Sequence, residues 1–229
     1  MSQDVDNPFI ARTKAVSGCF SMFLLMFAIT FLPLFFSQSV GLQAQGFLFP
    51  LMFTAEFVVL VPLYYFFFSK REGLGKGTFS VRGFAVLLTA LLVVQFVMPW
   101  LLGMRQSEEW MTDQVSLSSY ALWASSLSLI FIAPVYEEMI FRGCLFNAFQ
   151  YWFNDKTWLT SVVVSVIFAL MHTQYVDVRT LLMLFIISLV LIVARIKSNG
   201  ILMPIMLHIL MNGTVIAVQI SAYALLAGS

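Results

Sequence analysis

The chain alternates long apolar stretches with short polar connections. A helix needs about 20 mostly apolar residues to cross the hydrocarbon core of a bilayer. Seven stretches are candidates, at roughly 15–36, 47–68, 84–104, 120–146, 158–176, 180–194 and 201–226. The sixth is the shortest, at about 15 residues. The pattern predicts an all-α, polytopic membrane protein with about seven transmembrane helices in one bundle, and a single membrane domain over 1–229. The first stretch is too long for the apolar region of a signal peptide, and no small-residue cleavage site follows it, so it is expected to stay as an anchor. The longest polar linker, "SKREGLGKGTFSVRG" at 69–83, holds a "GLGKGT" that lacks the G-x-x-x-x-G-K-[ST] spacing of a phosphate-binding loop. It reads as a glycine-rich turn.

Basic residues in the connections predict the orientation, because cytoplasmic loops carry the excess of lysine and arginine. With the N-terminus in the cytoplasm, the inner side holds Arg12, Lys14, Lys70, Arg71, Lys76, Arg82, Arg142, Lys156, Arg195 and Lys197. The outer side holds only Arg105 and Arg179, and its loop "RQSEEWMTDQ" is acid-rich. The expectation is a multi-pass plasma (inner) membrane protein with its C-terminus outside.

Composition agrees. The chain is 61% hydrophobic and 10% charged, against about 45–50% apolar and about 25% charged in soluble domains. A net charge of +1 implies no nucleic-acid-binding surface. The two cysteines, Cys19 and Cys144, lie in or beside apolar stretches. They make neither a disulfide framework nor a metal-ligand spacing.

Against this background a few polar residues stand out, since an ionisable side chain within a span is costly and marks function by default. They are Glu56, Glu137, Glu138, Arg142, His172 and His208, joined by Asn212. In "EEMIFRG", Glu138 and Arg142 are four apart on one helix face, with the acid first, the better order for an ion pair. Glu137 is turned about 100° away from Glu138. One carboxylate is thus placed for neutralisation by Arg142 while the other is left for chemistry. "HILMN" puts His208 and Asn212 on one face, and "FALMH" ends in His172, with Phe168 one turn earlier. Counted from the cytoplasmic ends at the helical rise, Glu137 lies about 14 Å deep, His208 about 11 Å, Asn212 about 17 Å and His172 about 21 Å. The expectation is one cavity in the inner half to middle of the membrane, with His172 the outlier. Glu56, alone in "FTAEFVVL", reads equally well as a hydrogen-bonded structural acid.

"EEMIFRG", "FALMH" and "HILMN" together resemble the E-E-x-x-x-R, F-x-x-x-H and H-x-x-x-[N/B] motifs of the CAAX protease and bacteriocin-processing family (CPBP, or Abi), over roughly 120–215. The resemblance implies an all-helical intramembrane endopeptidase with its catalytic core in that region. It implies that Glu137 activates water, that His172 holds and polarises it, and that His208 and Asn212 stabilise the oxyanion. Glu138 and Arg142 would be the orienting pair. The residues themselves are compatible with amide hydrolysis, which needs a base for water and donors for the oxyanion. No cofactor is expected. The alternative is a zinc ion bound by Glu137, His172 and His208 with an open position for water. The expected partner is a peptide or membrane-protein substrate, in bacteriocin or peptide maturation, export or self-immunity, with a peptide exporter as a further partner. Two rival readings remain open: a non-catalytic immunity or export partner, and a proton-coupled carrier. The crowding of polar residues into the C-terminal half speaks against the carrier, whose halves are usually paired.

Overall fold

The structure is a computed structural model. It describes residues 8–71, 73–104 and 108–227, with side chains described from residue 16 to 225 within those ranges. Arg12, Lys14 and Arg105, three of the basic residues counted above, lie outside the described side chains.

All regular elements among the described residues are helices. Seven long ones carry the fold: α1 (Pro8–Phe31), α2 (Leu48–Phe67), α3 (Val81–Phe96), α4 (the continuous helical run 119–152), α5 (Thr157–Met171), α6 (Val178–Ser198) and α7 (Leu202–Ala227). Four segments are long and apolar enough to cross a membrane: Val16–Phe35, Leu48–Phe67, Val178–Ser198 and Leu202–Leu225. α3 and α5 are shorter apolar helices. The protein is therefore an all-α membrane protein. The sixth stretch, expected to be the shortest, is a 21-residue helix. It runs on past Ala194 because Arg195 is buried rather than marking a helix end.

That burial also corrects the charge count. Arg142 and Arg195 are 0% and 5% exposed, so neither is a loop charge. Removing these two from the ten leaves eight basic residues on the inner side against two on the outer, and the sign of the bias is unchanged. Below, "inner end" means the end of the bundle with the connections 68–80, 153–156 and 199–201. "Outer end" means the end with the connections 36–47, 97–118 and 172–177.

Two apolar clusters hold the helices together. One gathers around α4 through Tyr136, Ile140, Phe141, Cys144 and Leu145, which meet Met22 and Met26 of α1, Leu60 and Tyr64 of α2, and Phe168 of α5. The other joins Leu87 and Leu91 of α3 to Ile187 and Leu191 of α6 and to Met203, Leu207 and Met211 of α7. The spacings of three and four residues are those of helix faces meeting helix faces. In lipid, such close packing and interhelical polar contacts, rather than the hydrophobic effect, hold helices together.

α4 is not uniformly α-helical. Ala133–Glu138 is α-helical, but it is flanked by π-helical turns at Ser128–Ile132 and Met139–Leu145. Pro134 has no N–H to give the preceding turn, which favours the local irregularity before it. The two turns frame the segment that carries Glu137 and Glu138.

Gly143 lets α4 approach α2 closely. A Cβ there would lie 2.5 Å from the Tyr64 hydroxyl oxygen and 2.9 Å from its ring, and that hydroxyl donates to the Leu74 carbonyl at 2.9 Å. Gly143→Ala is expected to destabilise the protein by about 1–3 kcal/mol, the usual cost of overpacking, seen as a lower Tm in detergent. An unchanged Tm would mean that α2 and α4 are not packed this way.

Candidate active site

Glu138 is the anchor of the site. It is fully buried, and its Oε1 accepts from Arg142 Nη1 at 2.9 Å and from His208 Nδ1 at 2.8 Å. Those two contacts tie one turn of α4 to itself and α4 to α7. Arg142 also donates to the Ser188 carbonyl of α6 at 3.4 Å and lies 4.4 Å from the centre of the Phe168 ring of α5. Arg195 of α6 in turn donates to the Arg142 carbonyl at 3.1 Å. A guanidinium placed in an apolar bundle needs such partners, because an unpaired buried charge is strongly unfavourable.

Glu137 behaves as its rotation about the helix predicts. Its side chain is 17% exposed where that of Glu138 is at 0%, and its Oε2 lies 3.9 Å from His208 Nε2. His208 therefore stands between the two glutamates, with Nδ1 on one and Nε2 toward the other. Because a carboxylate only accepts, His208 carries a proton on Nδ1.

His172 sits just past the end of α5, which stops at Met171. Its Nδ1 donates to the Phe168 carbonyl at 2.7 Å, satisfying a carbonyl that the helix end leaves open. Its Nε2 is thereby left as the free nitrogen. The Phe168 ring lies 4.5 Å from the His172 ring and 6.3 Å from the His208 ring, so Phe168 packs between the two imidazoles and Arg142. The Tyr175 ring lies nearly parallel to that of His172, 6.4 Å away at 12°. Asn212 uses one N–H on the Leu129 carbonyl at 2.9 Å, in the first π-helical turn of α4. Its second N–H and its Oδ1 remain.

Glu137, His172, His208 and Asn212 all line one cavity of about 860 Å³. Glu138 and Arg142 stand behind its wall. The structure thus brings together the four side chains singled out in the sequence, from α4, α5 and α7. The cavity reaches well beyond these four side chains, because the rest of its lining includes Gln43, Met104, Glu108, Trp110 and Tyr175 from the outer end. His172 looked like an outlier in depth because it is a helix-end residue at that outer end.

Other contributors carry no motif, although Glu56 stands out in the sequence as an ionisable residue within a span. Glu56, buried at 2%, lines the same cavity; it accepts from Thr30 at 2.6 Å and is hydrogen-bonded to Tyr136. The Leu129 carbonyl acts through its backbone, and no residue type announces such a role. Phe168 was visible only as the residue one turn before His172.

The donor set also bears on a metal. No three His, Cys, Asp or Glu side chains among the described residues are grouped closely enough to hold an ion. Each histidine has Nδ1 on an acceptor and Nε2 left over, as a metal-binding imidazole would, but Glu137, His172 and His208 as arranged are too widely spaced to fit a zinc site.

Removing Arg142 leaves the buried Glu138 with His208 as its one partner. Arg142→Ala is expected to cost about 3–5 kcal/mol, read as lost thermal stability and lower yield of folded protein. Arg142→Lys keeps the charge but loses the second donor arm and the stacking on Phe168, and is expected to fall between the two. A fully stable Arg142→Ala protein would contradict the anchoring role.

Comparison with known proteins follows this geometry. Residues 119–214 match the model of the Rce1-like family, type II CAAX prenyl endopeptidases. An 82-residue stretch is 39% identical to a protein of Escherichia coli described as an uncharacterized 24.3 kDa protein, covering 36% of this chain and 38% of that relative. The match thus spans well under half of the relative's length. No solved structure matches. The matched family segment runs from the start of α4 to the middle of α7 and contains all three motifs, so the similarity to the Rce1-like family falls on the same stretch as the resemblance those motifs carry.

Proposed function

We propose that the protein is an intramembrane endopeptidase that hydrolyses a peptide bond with water activated by Glu137. The single observation that supports this reading most is the separation of the two adjacent glutamates: Glu138 is fully buried and paired, while Glu137 faces the cavity beside two imidazoles.

In this reading Glu137 takes a proton from a water held between it and the free Nε2 of His172. The hydroxide attacks the scissile carbonyl carbon. The oxyanion accepts from the remaining N–H of Asn212 and from Nε2 of His208, which requires the doubly protonated form of that imidazole. Glu137 then passes the proton to the departing amine, and the C–N bond breaks. Phe168, Tyr175 and the Glu138–Arg142 pair act as positioning residues that fix the two rings. The Leu129 carbonyl aims the Asn212 amide.

No cofactor enters this mechanism, and no step is routed through a metal. The substrate is proposed to be a peptide or a segment of a membrane protein. Peptide maturation, export or self-immunity, with an exporter as partner, is the biological setting we favour, in a multi-pass inner membrane protein with the C-terminus outside.

The test is cleavage of a peptide panel by purified protein. Glu137→Gln is expected to lower the rate by about 10²–10⁴-fold, the range for loss of a general base, while Tm stays near that of the wild type. Chelator is expected to leave cleavage unchanged; loss of activity restored by zinc would replace this mechanism with the metal-assisted one. Biological activity that survives Glu137→Gln would favour a binding partner in immunity or export instead.

Asn212→Ala is expected to reduce kcat more than it raises KM, because an oxyanion donor acts chiefly in the transition state. A pure KM effect would assign Asn212 to substrate binding.

A further inference from the structure

The cavity that holds Glu137 and the two histidines reaches the surface through connections at one end of the bundle. Its exposed lining residues in connections are Gln43, Glu109, Asp113, Thr173 and Val176, all at the outer end; Leu34, Phe96 and Val218 on the helices are exposed and line it as well. The connections 68–80, 153–156 and 199–201 contribute nothing to the lining among the described residues.

The inner end is closed by direct backbone contact. Thr78 N–H donates to the Ser198 carbonyl at 2.7 Å, Ile201 N–H to Gly75 at 3.0 Å and Leu202 N–H to Lys76 at 3.3 Å. Gly77 and Gly200 touch so closely there that a Cβ on either would strike the backbone of the other strand of the contact. Beside this contact, Arg195 packs against Gly73 of the 68–80 connection and donates to the Arg142 carbonyl, and the Tyr64 hydroxyl donates to the Leu74 carbonyl.

The charges assign sides to these ends. Lys70, Arg71, Lys76, Arg82, Lys156 and Lys197 lie at the closed end. At the open end, Arg179 is the one basic residue among those described, and it is paired with Asp177 at 2.6 Å. Basic residues gather on the cytoplasmic side, so the open end faces away from the cytoplasm.

We propose that the cavity is entered from the extracytoplasmic side, so that its peptide is a segment already outside the cytoplasm: an exported peptide or the outer juxtamembrane part of a membrane protein. The peptide nature of the ligand rests on the peptidase reading; the side of entry rests on the geometry and the charge bias alone. A soluble or lipid-modified tail presented in the cytoplasm would meet the sealed face.

Cysteine accessibility tests this without needing any cleavage. Asp113→Cys and Lys76→Cys mark the two faces, since both positions are exposed. Ser126→Cys places a conservative probe on the cavity wall, where Ser126 is 5% exposed. The native Cys19 and Cys144 are buried and set the background. In intact cells, a membrane-impermeant maleimide is expected to label Asp113→Cys and to leave Lys76→Cys unlabelled until lysis. In sealed proteoliposomes, a charged methanethiosulfonate is expected to modify Ser126→Cys from the Asp113 face, with loss of modification when it is confined to the Lys76 face. Val115→Cys, a second half-buried lining position, repeats the measurement if Ser126→Cys does not fold. Modification from the Lys76 face, modification from neither face, or labelling of Lys76→Cys in intact cells overturns the proposal. An inactive Glu137→Gln protein with unchanged labelling leaves the side of entry standing, and one-sided labelling of a protein that cleaves nothing leaves only the peptidase reading to fall.

Discussion

The structure depends on one oxygen atom. Oε1 of Glu138 accepts at once from Arg142 on its own helix and from His208 on α7, in a place no solvent reaches. A carboxylate in the middle of a helical membrane bundle is tolerated only when paired. Here the pairing also fixes the geometry around it. Arg142 carries the contact on to α5 and α6, through the Phe168 ring and the Ser188 carbonyl. Four helices are thereby registered against one another by a single buried ion-pair network.

That network gives the neighbouring residue its role. Adjacent residues on a helix point about 100° apart, so neutralising Glu138 inside the bundle turns Glu137 into the cavity. The π-helical turns on either side of Ala133–Glu138 release backbone groups from the regular ladder, a feature often found at functional sites. In this protein the released groups are used: the Leu129 carbonyl holds Asn212, and the Arg142 carbonyl holds Arg195. The side chains around the cavity are thus placed by backbone irregularity as much as by side-chain pairing.

Much of this could be read from the sequence because ionisable residues in an apolar chain are few. Glu137, Glu138, Arg142, His172, His208 and Asn212 stood out by type and by i,i+4 spacing, and all six meet at one site. Depth was less legible. Counting residues from a helix end assumes straight spans of known start, and His172 is a helix cap rather than a mid-span residue. Arg195 looked like a boundary because sequence alone cannot show that it has a carbonyl to bind, and this shortened α6. The π-helical turns left no mark apart from Pro134. The face on which the cavity opens is a property of tertiary packing, and counting charges could orient the helices without revealing it.

The claim at the centre of the account is that the two glutamates divide structure and chemistry between them. The thermal stability of Glu138→Gln measured beside that of Glu137→Gln tests it most directly. The account predicts that Glu138→Gln unfolds at a distinctly lower temperature, because Arg142 loses its partner, while Glu137→Gln melts like the wild type. Equal stability of the two variants, or a larger loss at Glu137, would contradict it.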